Sequence, residues 1–336
     1  MWRLILGRCL MAVPSLIGVV IVTFVLTRAL PGDPAAYFAG PAATEEAIEQ
    51  VRVKLGLHRP LPEQFLRYMT DLAHGDLGRS LTTGRSVVAE LESRLPASAE
   101  LTLLGLLLAI AIAVPLGIAA ATRPGSVLDH TCRIVATTGV SLPVFFTGLI
   151  LVYVFYYRLG LAPAPLGRLD VFFSPPPQVT GFYLIDSLLA GDGTLLIESL
   201  KQILLPALTL AIFSLAPISR MTRASMLAAL SSDFVRTARA SGLAPFTIVV
   251  TYAFRNAMLP VVTTLGMVFS FLLGANVLVE KVFAWPGIGS FAVEALIASD
   301  YAPVQGFVLT MAVLYVVLNL LIDILYGVID PRMRAA

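Results

Sequence analysis

Six long runs without a charged residue constrain this chain more than any other feature. Each run has 18 to 24 residues and contains no Asp, Glu, Lys or Arg. About 20 apolar residues are needed to span a hydrocarbon core, and a helix satisfies its own backbone hydrogen bonds there. The runs are 10–27, 101–122, 134–157, 202–219, 256–279 and 301–322. They predict an all-α integral membrane protein with six transmembrane helices.

Composition supports this fold class, because only 13% of the residues are charged and 57% are hydrophobic. Soluble domains have roughly 25% charged residues. The first run follows Arg3 and Arg8, so a cleaved signal peptide is an alternative interpretation. A run of 18 residues is longer than a usual signal-peptide core. We therefore interpret it as an uncleaved helix.

Arginine positions predict the orientation, because short loops rich in Lys and Arg stay in the cytoplasm. With the N-terminus inside, the cytoplasmic segments hold eleven arginines, whereas the opposite short loops, 158–201 and 280–300, hold four basic residues. The cytoplasmic segments are 1–9, 123–133, 220–255 and 328–336. Both termini are thus expected in the cytoplasm. The net charge of +2 reflects this topology and does not indicate nucleic-acid binding.

Four regions are expected along the chain. They are an N-terminal membrane helix at 1–28, an extracytoplasmic helical cap at 29–99, a membrane domain at 100–328 and a cytoplasmic tail at 329–336. In the cap, "TEEAIEQVRVKLGL" and "LPEQFLRYMTDLA" have helical spacing of apolar residues. The cap is either a packing lid or a docking surface for an external partner.

The membrane domain is expected to hold five of the six helices. Their approximate bounds are 101–122, 134–157, 202–222, 256–279 and 301–326. The loop 159–200 contains "SPPPQVTGFY" and "AGDGT", which are typical of turns. Segment 281–300 is too short to cross lipid, and Trp285 is expected at the membrane interface.

Several kinds of chemistry are missing from the sequence. None of Lys54, Lys201 and Lys281 follows a glycine, so the chain has no G-x-x-x-x-G-K-[ST] loop for ATP. The six runs hold no ionisable residue, which disfavours a proton- or sodium-coupled carrier. Enzyme and metal motifs such as H-E-x-x-H are absent too. A transporter built on this chain needs an energy source from elsewhere.

The polar stretch Ser231–Pro260 predicts a short cytoplasmic helix at 233–241. Ser231 or Ser232 suits the N-cap, and the negative Asp233 suits the first turn of a helix. At its end, Gly242 fits the left-handed C′ position. Pro245 cannot prolong this helix but can open a second one, which passes Tyr252 and Phe254 and leads into the membrane.

Such a short helix is marginal alone and needs a partner surface. Its spacing places Phe234, Ala238 and Ser241 on one side and Arg236 and Arg239 on another. A helix of this kind can sit in a cleft of an ATPase and carry its motion to the bundle. The alternative is an ordinary solvated loop.

These residues also resemble a known family. Asp233–Leu243 and Arg255–Pro260 are similar to the cytoplasmic EAA-type loop of ABC importer permeases, in particular the oligopeptide, dipeptide and nickel branch. Further similar stretches are "LPGDPA" (30–35), "LGLHRPLPEQFLRY" (55–68), "GDLGRSL" (75–81), "RLPAS" (94–98), "VFAWPGIG" (282–289) and "IDPRMR" (329–334). The resemblance covers essentially the whole chain.

The resemblance implies a type I importer fold in which this chain is one of two homologous permease subunits. Two cytoplasmic subunits would bind ATP and magnesium, and an extracytoplasmic protein would deliver the substrate. The chain itself would hold no cofactor and catalyse no reaction. The loop that contacts the ATPases would be 229–258. Its contact residues would be Asp233, Phe234, Arg236, Thr237, Ala238, Arg239, Gly242, Leu243 and Pro245.

Two departures from the family pattern fall in this loop. Arg236, Thr237 and Ala238 occupy the place of the Glu-Ala-Ala triplet, so the glutamate is missing. Ser241 stands where lysine is frequent. Peptides are the expected substrates, while nickel chelates, glutathione and oligosaccharides are carried by similar permeases. A non-transporting membrane scaffold is the alternative from another class.

Overall fold

Most of the chain is helical within the residues that the computed structural model describes, which are 2–29, 33–40 and 42–329. Within those ranges the one strand-like pairing is a bridge between Arg79 and Ser86. The all-α prediction is therefore confirmed. Half of "LPGDPA", nearly all of "IDPRMR" and the tail after Ile329 lie outside the described residues.

The helices follow one another with short connections in most places. The first seven are α1 (Trp2–Ala29), α2 (Pro34–Ala39), α3 (Glu45–Lys54), α4 (Leu61–Ala73), α5 (Val87–Thr122), α6 (Val127–Ser141) and α7 (Val144–Leu151). A π-helical turn, Val152–Arg158, continues α7. The next are α8 (Tyr183–Leu189), α9 (Gly193–Leu230), α10 (Asp233–Ala240), α11 (Pro245–Thr247), α12 (Arg255–Val282), α13 (Ile288–Ile297) and α14 (Tyr301–Ile329).

Five helices of the described chain are long and apolar enough to cross a membrane. Each contains most or all of one predicted run. They are Leu10–Ala29 within α1, Val87–Thr122, Gly193–Leu230, Pro245–Val282 and Tyr301–Ile324 within α14. Several membrane-length helices are what a multipass membrane protein requires.

The remaining run, 134–157, is divided between α6 and α7. Pro143 has no N–H to donate, and its ring disfavours helical geometry at Leu142, which is extended with φ −105° and ψ 142°. The apolar helix after the break, Val144–Arg158, is about 22 Å long. The total of six spans therefore stays a prediction.

Two helices extend well beyond the apolar runs that predicted them. α5 begins at Val87 and α9 at Gly193, whereas the predicted starts are near 101 and 202. Asp192 caps α9 by accepting a hydrogen bond from the N–H of Leu195 at 2.9 Å. Hydropathy marks only the apolar part of a helix, so it does not reveal polar turns that continue it.

Among the described residues, one compact unit comprises 99–285 and 317–329. α9 packs against α6, α7, α8 and α12 in this unit. Of its apolar window 67% is buried, compared with 28% for α5, so α9 is the central helix. Gly117 lets α5 approach α9 closely, because an added Cβ would lie 2.6 Å from the Cβ of Thr222.

A buried ion pair fixes the loop between α7 and α9. Arg168 donates to Glu100 at 2.6 Å, and its guanidinium lies 3.4 Å from the ring centroid of Tyr183. The ring of Trp285 lies 6.0 Å from the same guanidinium and is 1% exposed. The loop thus covers the side chain of Trp285, and its position at the membrane interface stays a prediction.

The second compact unit comprises Trp2–Ser98 and Pro286–Val316. The two helices predicted in the cap are present as α3 and α4. Phe65 of α4 packs edge-on against Phe24 of α1, with 5.1 Å between ring centroids. Phe291 of α13 is buried in a cluster with residues of α5. The cap thus packs on its own membrane helix.

Candidate functional site

The helix predicted at 233–241 is present as α10, Asp233–Ala240. Ser232 has the extended backbone of an N-cap, with φ −76° and ψ 155°. Its hydroxyl donates to the carbonyl of Ala229 at 2.5 Å, so the side chain is turned back to α9 instead of capping α10. Ser232 thus occupies one of the two predicted N-cap positions without making a capping hydrogen bond.

Gly242 ends α10 in the left-handed conformation that the sequence predicts, with φ 74°. The N–H of Leu243 donates to the carbonyl of Ala238 at 3.3 Å. The N–H of Gly242 donates to the carbonyl of Arg239 at 3.0 Å. These two bonds form a Schellman motif, which satisfies carbonyls at the helix end. The motif fixes the direction in which the chain leaves α10.

The buried face of α10 is formed by Val235 and Ala238, whereas the predicted helical spacing groups Ala238 with Phe234 and Ser241. Val235 is fully buried and packs with Ala238 and Ile248. Phe234, which was expected beside Ala238, is 41% exposed, and Ser241 is also exposed. Val235 and Ala238 are three residues apart, which is the spacing of one helix face. The spacing of Val235 and Ala238 is the sequence signal for this buried face. It is easily missed, because Phe234 beside Val235 is a larger apolar residue.

The opposite face of α10 is polar and open. Asp233 and Arg236 pair at 3.3 Å while their side chains are 95% and 78% exposed, so this pair contributes little stability. Thr237 and Arg239 are exposed as well. Eight of the nine predicted contact residues are exposed, and Ala238 alone of that set is buried. The helix therefore offers most of these side chains to a partner.

Pro245 begins the second helix, as predicted. Ala244 before it is extended, with φ −61° and ψ 140°, as the residue before proline prefers. The helix passes from α11 through a π-helical turn, Ile248–Phe254, into α12. This turn was not predicted. It carries Ile248, on which α10 rests, so α10 is attached directly to a membrane-length helix.

A cluster of small apolar residues lies beneath α10. It joins the end of α5, the end of α9 and the start of the helix that contains α12. Its buried members are Ala121, Met226, Ala229, Ala253 and Ala257. Alanine side chains allow helix backbones to approach closely. The cluster therefore packs three long helices together close to the segments that flank α10.

One ion pair near this cluster has no signal in the sequence pattern. Arg223 of α9 donates to Asp129, with Nε–Oδ1 2.6 Å and Nη2–Oδ2 2.7 Å. The N–H of Gly125 also donates to Asp129, at 3.0 Å. The bonds from Arg223, together with the one from Gly125, hold the pKa of Asp129 well below its usual value. The start of α6 is thereby fastened to α9.

These features define a multipass helical membrane protein with a short exposed helix seated on the ends of its long helices. Two family models match the chain, one for the N-terminal part of binding-protein-dependent transport system membrane components, over residues 1–102. The other is the binding-protein-dependent transport system inner membrane component, over residues 113–335. The chain belongs to this family of inner-membrane transport components. It is therefore a multipass transport subunit and not an enzyme.

Relatives match over nearly their whole length. The probable D,D-dipeptide transport system permease protein DdpB of Escherichia coli K12 is 46% identical over 98% of this chain and 97% of its own. The dipeptide transport system permease protein DppB of the same strain is 40% identical over 99% of both chains. The di/tripeptide permease DppB of Pseudomonas aeruginosa has the same identity and coverage.

Proposed function

We propose that this chain is one of two permease subunits of an ATP-driven peptide importer and receives motion from ATPase subunits through α10. The observation that carries the proposal is the seating of α10: Val235 and Ala238 hold it on Ile248, while its charged face is free. A helix anchored on one side and open on the other is suited to transmit displacement. The expected orientation places α10 in the cytoplasm, where ATP is available.

The coupling would be an interaction free energy between two sites, the ATP sites of the partner subunits and the translocation path of this chain. Binding of ATP and magnesium by two partner subunits closes them, α10 moves with them, and the helices linked through the Ala253–Ala257 region change their packing. Allosteric coupling energies are typically about 1–3 kcal/mol. Hydrolysis resets the bundle. This chain provides the translocation path and transmits the movement of α10 to the helix bundle. It holds no cofactor itself.

We propose di- and tripeptides as substrates, delivered by an extracytoplasmic binding protein. Three relatives of 40–46% identity are named for the transport of D,D-dipeptides, dipeptides and di/tripeptides. Peptides share a backbone but differ in side chains, so a permissive path suits them, and the binding protein makes the selection. The ligand that co-purifies with that binding protein tests this part of the proposal.

Cross-linking tests the role of α10. In a background without Cys9 and Cys132, Thr237→Cys should cross-link to an ATPase subunit of the purified complex. Glu45→Cys, on the exposed side of α3, is the matched control and should not. Uptake of a labelled dipeptide into proteoliposomes should require ATP and every partner. A complex that imports dipeptides while Thr237→Cys cross-links to no ATPase contradicts the proposal.

A further inference from the structure

An apolar groove runs along α1 in the second compact unit. It has a volume of about 640 Å³ and is lined mainly by α1 and α14. Gly18, Val22 and Leu26 line it on one side, and Val304 and Val308 on the other. The groove belongs to membrane-length parts of both helices. Its occupant is therefore apolar.

A small polar pocket continues the groove at one end. Thr27 and Val304 line the groove, while their neighbours Arg28 and Gln305 line the pocket. The pocket measures about 160 Å³. Gln305 donates to the hydroxyl of Thr27 at 3.0 Å, at the point where the two cavities meet. The two cavities thus adjoin along α1 and α14, one with an apolar lining and one with a polar lining.

The pocket carries excess positive charge. Arg28 and Arg79 both line it. Arg28 stacks on the ring of Phe24 at 4.2 Å and donates to Gln64 at 3.4 Å. Among the described residues, no carboxylate lies within ion-pairing distance of either guanidinium. Arg28 is partly buried and Arg79 is exposed, so the pocket presents two guanidinium groups that an anion can reach.

Asp300 is the acidic residue of the pocket, and it is turned to other partners. It is 1% exposed. Its Oδ2 accepts hydrogen bonds from the hydroxyl of Ser80 at 2.8 Å and from the N–H and hydroxyl of Thr82 at 3.1 and 3.3 Å. This carboxylate therefore fixes the 80–82 turn. Two arginines and one carboxylate leave the lining of the pocket with a net charge of +1.

We propose that the groove and pocket together bind one phospholipid, with an acyl chain along α1 and the phosphate against Arg28 and Arg79. Arginine matches the geometry of phosphate oxygens with two parallel donors. Arg28 ends a membrane-length helix, which is the depth of lipid headgroups. The expected orientation places this lipid in the outer leaflet. The site is independent of the function proposed above.

Other occupants satisfy only half of the site. A helix of another subunit fills the groove but brings no anion to the guanidinium groups. The carboxylate of a peptide pairs with an arginine but leaves the apolar groove empty. A phospholipid has an apolar chain and a phosphate in the order in which the groove and pocket follow one another.

Lipid retention tests the proposal on the full-length chain purified with its partner subunits. Native mass spectrometry should count about one more tightly held phosphatidylglycerol or phosphatidylethanolamine on the wild type than on the double variant Arg28→Gln/Arg79→Gln. The matched control is Arg59→Gln/Arg67→Gln, which removes the same charge from exposed positions of the cap. We expect about tenfold weaker retention in the first variant, because charge-assisted hydrogen bonds are lost. Equal retention overturns the proposal.

Three further measurements separate the occupants. Val304→Trp fills the groove and leaves both arginines, so it should also lose the lipid. A glycosyl diacylglycerol without phosphate should bind about tenfold more weakly than phosphatidylglycerol. A photoreactive side chain at Val22 should label lipid. Labelling of a protein subunit, equal binding of the glycolipid, or displacement of the lipid by a dipeptide overturns the proposal.

Discussion

Asp129 and Arg223 are 94 residues apart in the chain, yet they form a two-point ion pair at 2.6 and 2.7 Å. The carboxylate is almost fully buried, and the guanidinium is about a quarter exposed. Arg223 lies one turn before Met226 of the cluster beneath α10. This pair therefore holds the end of α9 where α10 is attached. Its removal is expected to loosen that end.

Arg223→Gln should lower thermal stability by several degrees, because Asp129 then stays buried without its charged partner. Arg223→Lys should recover part of the loss, since a single ammonium replaces one of the two donors. Arg220→Gln is the matched control, because Arg220 is exposed and donates a hydrogen bond to the Ala216 carbonyl of its own helix. Fluorescence-detected unfolding of the purified complex measures the effect. An unchanged midpoint for Arg223→Gln contradicts the assigned role.

Low pH should reduce the stabilisation that the Asp129–Arg223 ion pair provides. The pKa of Asp129 is lowered in the fold, so its stabilising contribution is complete above the unfolded value of about 3.9 and is lost as pH falls through the lower folded value. The difference in midpoint between wild type and Arg223→Gln should be full near about pH 7 and should shrink below about pH 4. A difference that grows on acidification would show that another group is responsible.

Gly242→Val should uncouple ATP hydrolysis from uptake. The left-handed φ of 74° costs a residue with a Cβ about 1–2 kcal/mol, and more for a β-branched one, so the Schellman turn is distorted. We expect uptake of dipeptide to fall several-fold more than ATPase activity. Gly193→Ala is the control, because this glycine has ordinary φ and open space around it. Equal loss of both activities would indicate general unfolding instead.

Val235 and Phe234 should behave differently when truncated. Val235→Ala removes buried methyl groups worth about 1–2 kcal/mol and should loosen α10 from Ile248. Phe234→Ala should leave that packing intact and weaken binding of the ATPase subunits. Proteolysis of the isolated subunit measures the first effect, and co-purification of the ATPases measures the second. Reversal of the two results would contradict these assignments.

Gly117→Ala should destabilise the α5–α9 contact by about 1–3 kcal/mol, because its Cβ would meet Thr222 and the carbonyl of Ser219 at 2.6 and 2.8 Å. Gly274→Ala is the matched control within a membrane-length helix, because an added Cβ meets nothing within 4 Å. Denaturant titration of the two variants compares them. A stable Gly117→Ala chain would mean that α5 and α9 separate without cost.

Much of the local structure is predictable from local patterns. Gly242 and Pro245 act through their own backbone restrictions, so α10 and the start of the next helix agree with prediction. The effect of Pro143 is harder to predict. A proline kinks one helix and divides another, depending on the surrounding contacts, and Pro143 separates α6 from α7. The early starts of α5 and α9 were not predicted, because their first turns contain polar residues and hydropathy marks only the apolar part of a helix.

The amino-acid order by itself determines that this chain enters a membrane as helices and presents a short capped helix between two of them. Apolar runs, glycine and proline act over a few residues, and their effects do not depend on distant partners. Only the tertiary structure decided that Val235 is buried while Phe234 is exposed, and that Asp129 meets Arg223. Such choices depend on which surfaces meet across long chain separations, and no local pattern encodes that.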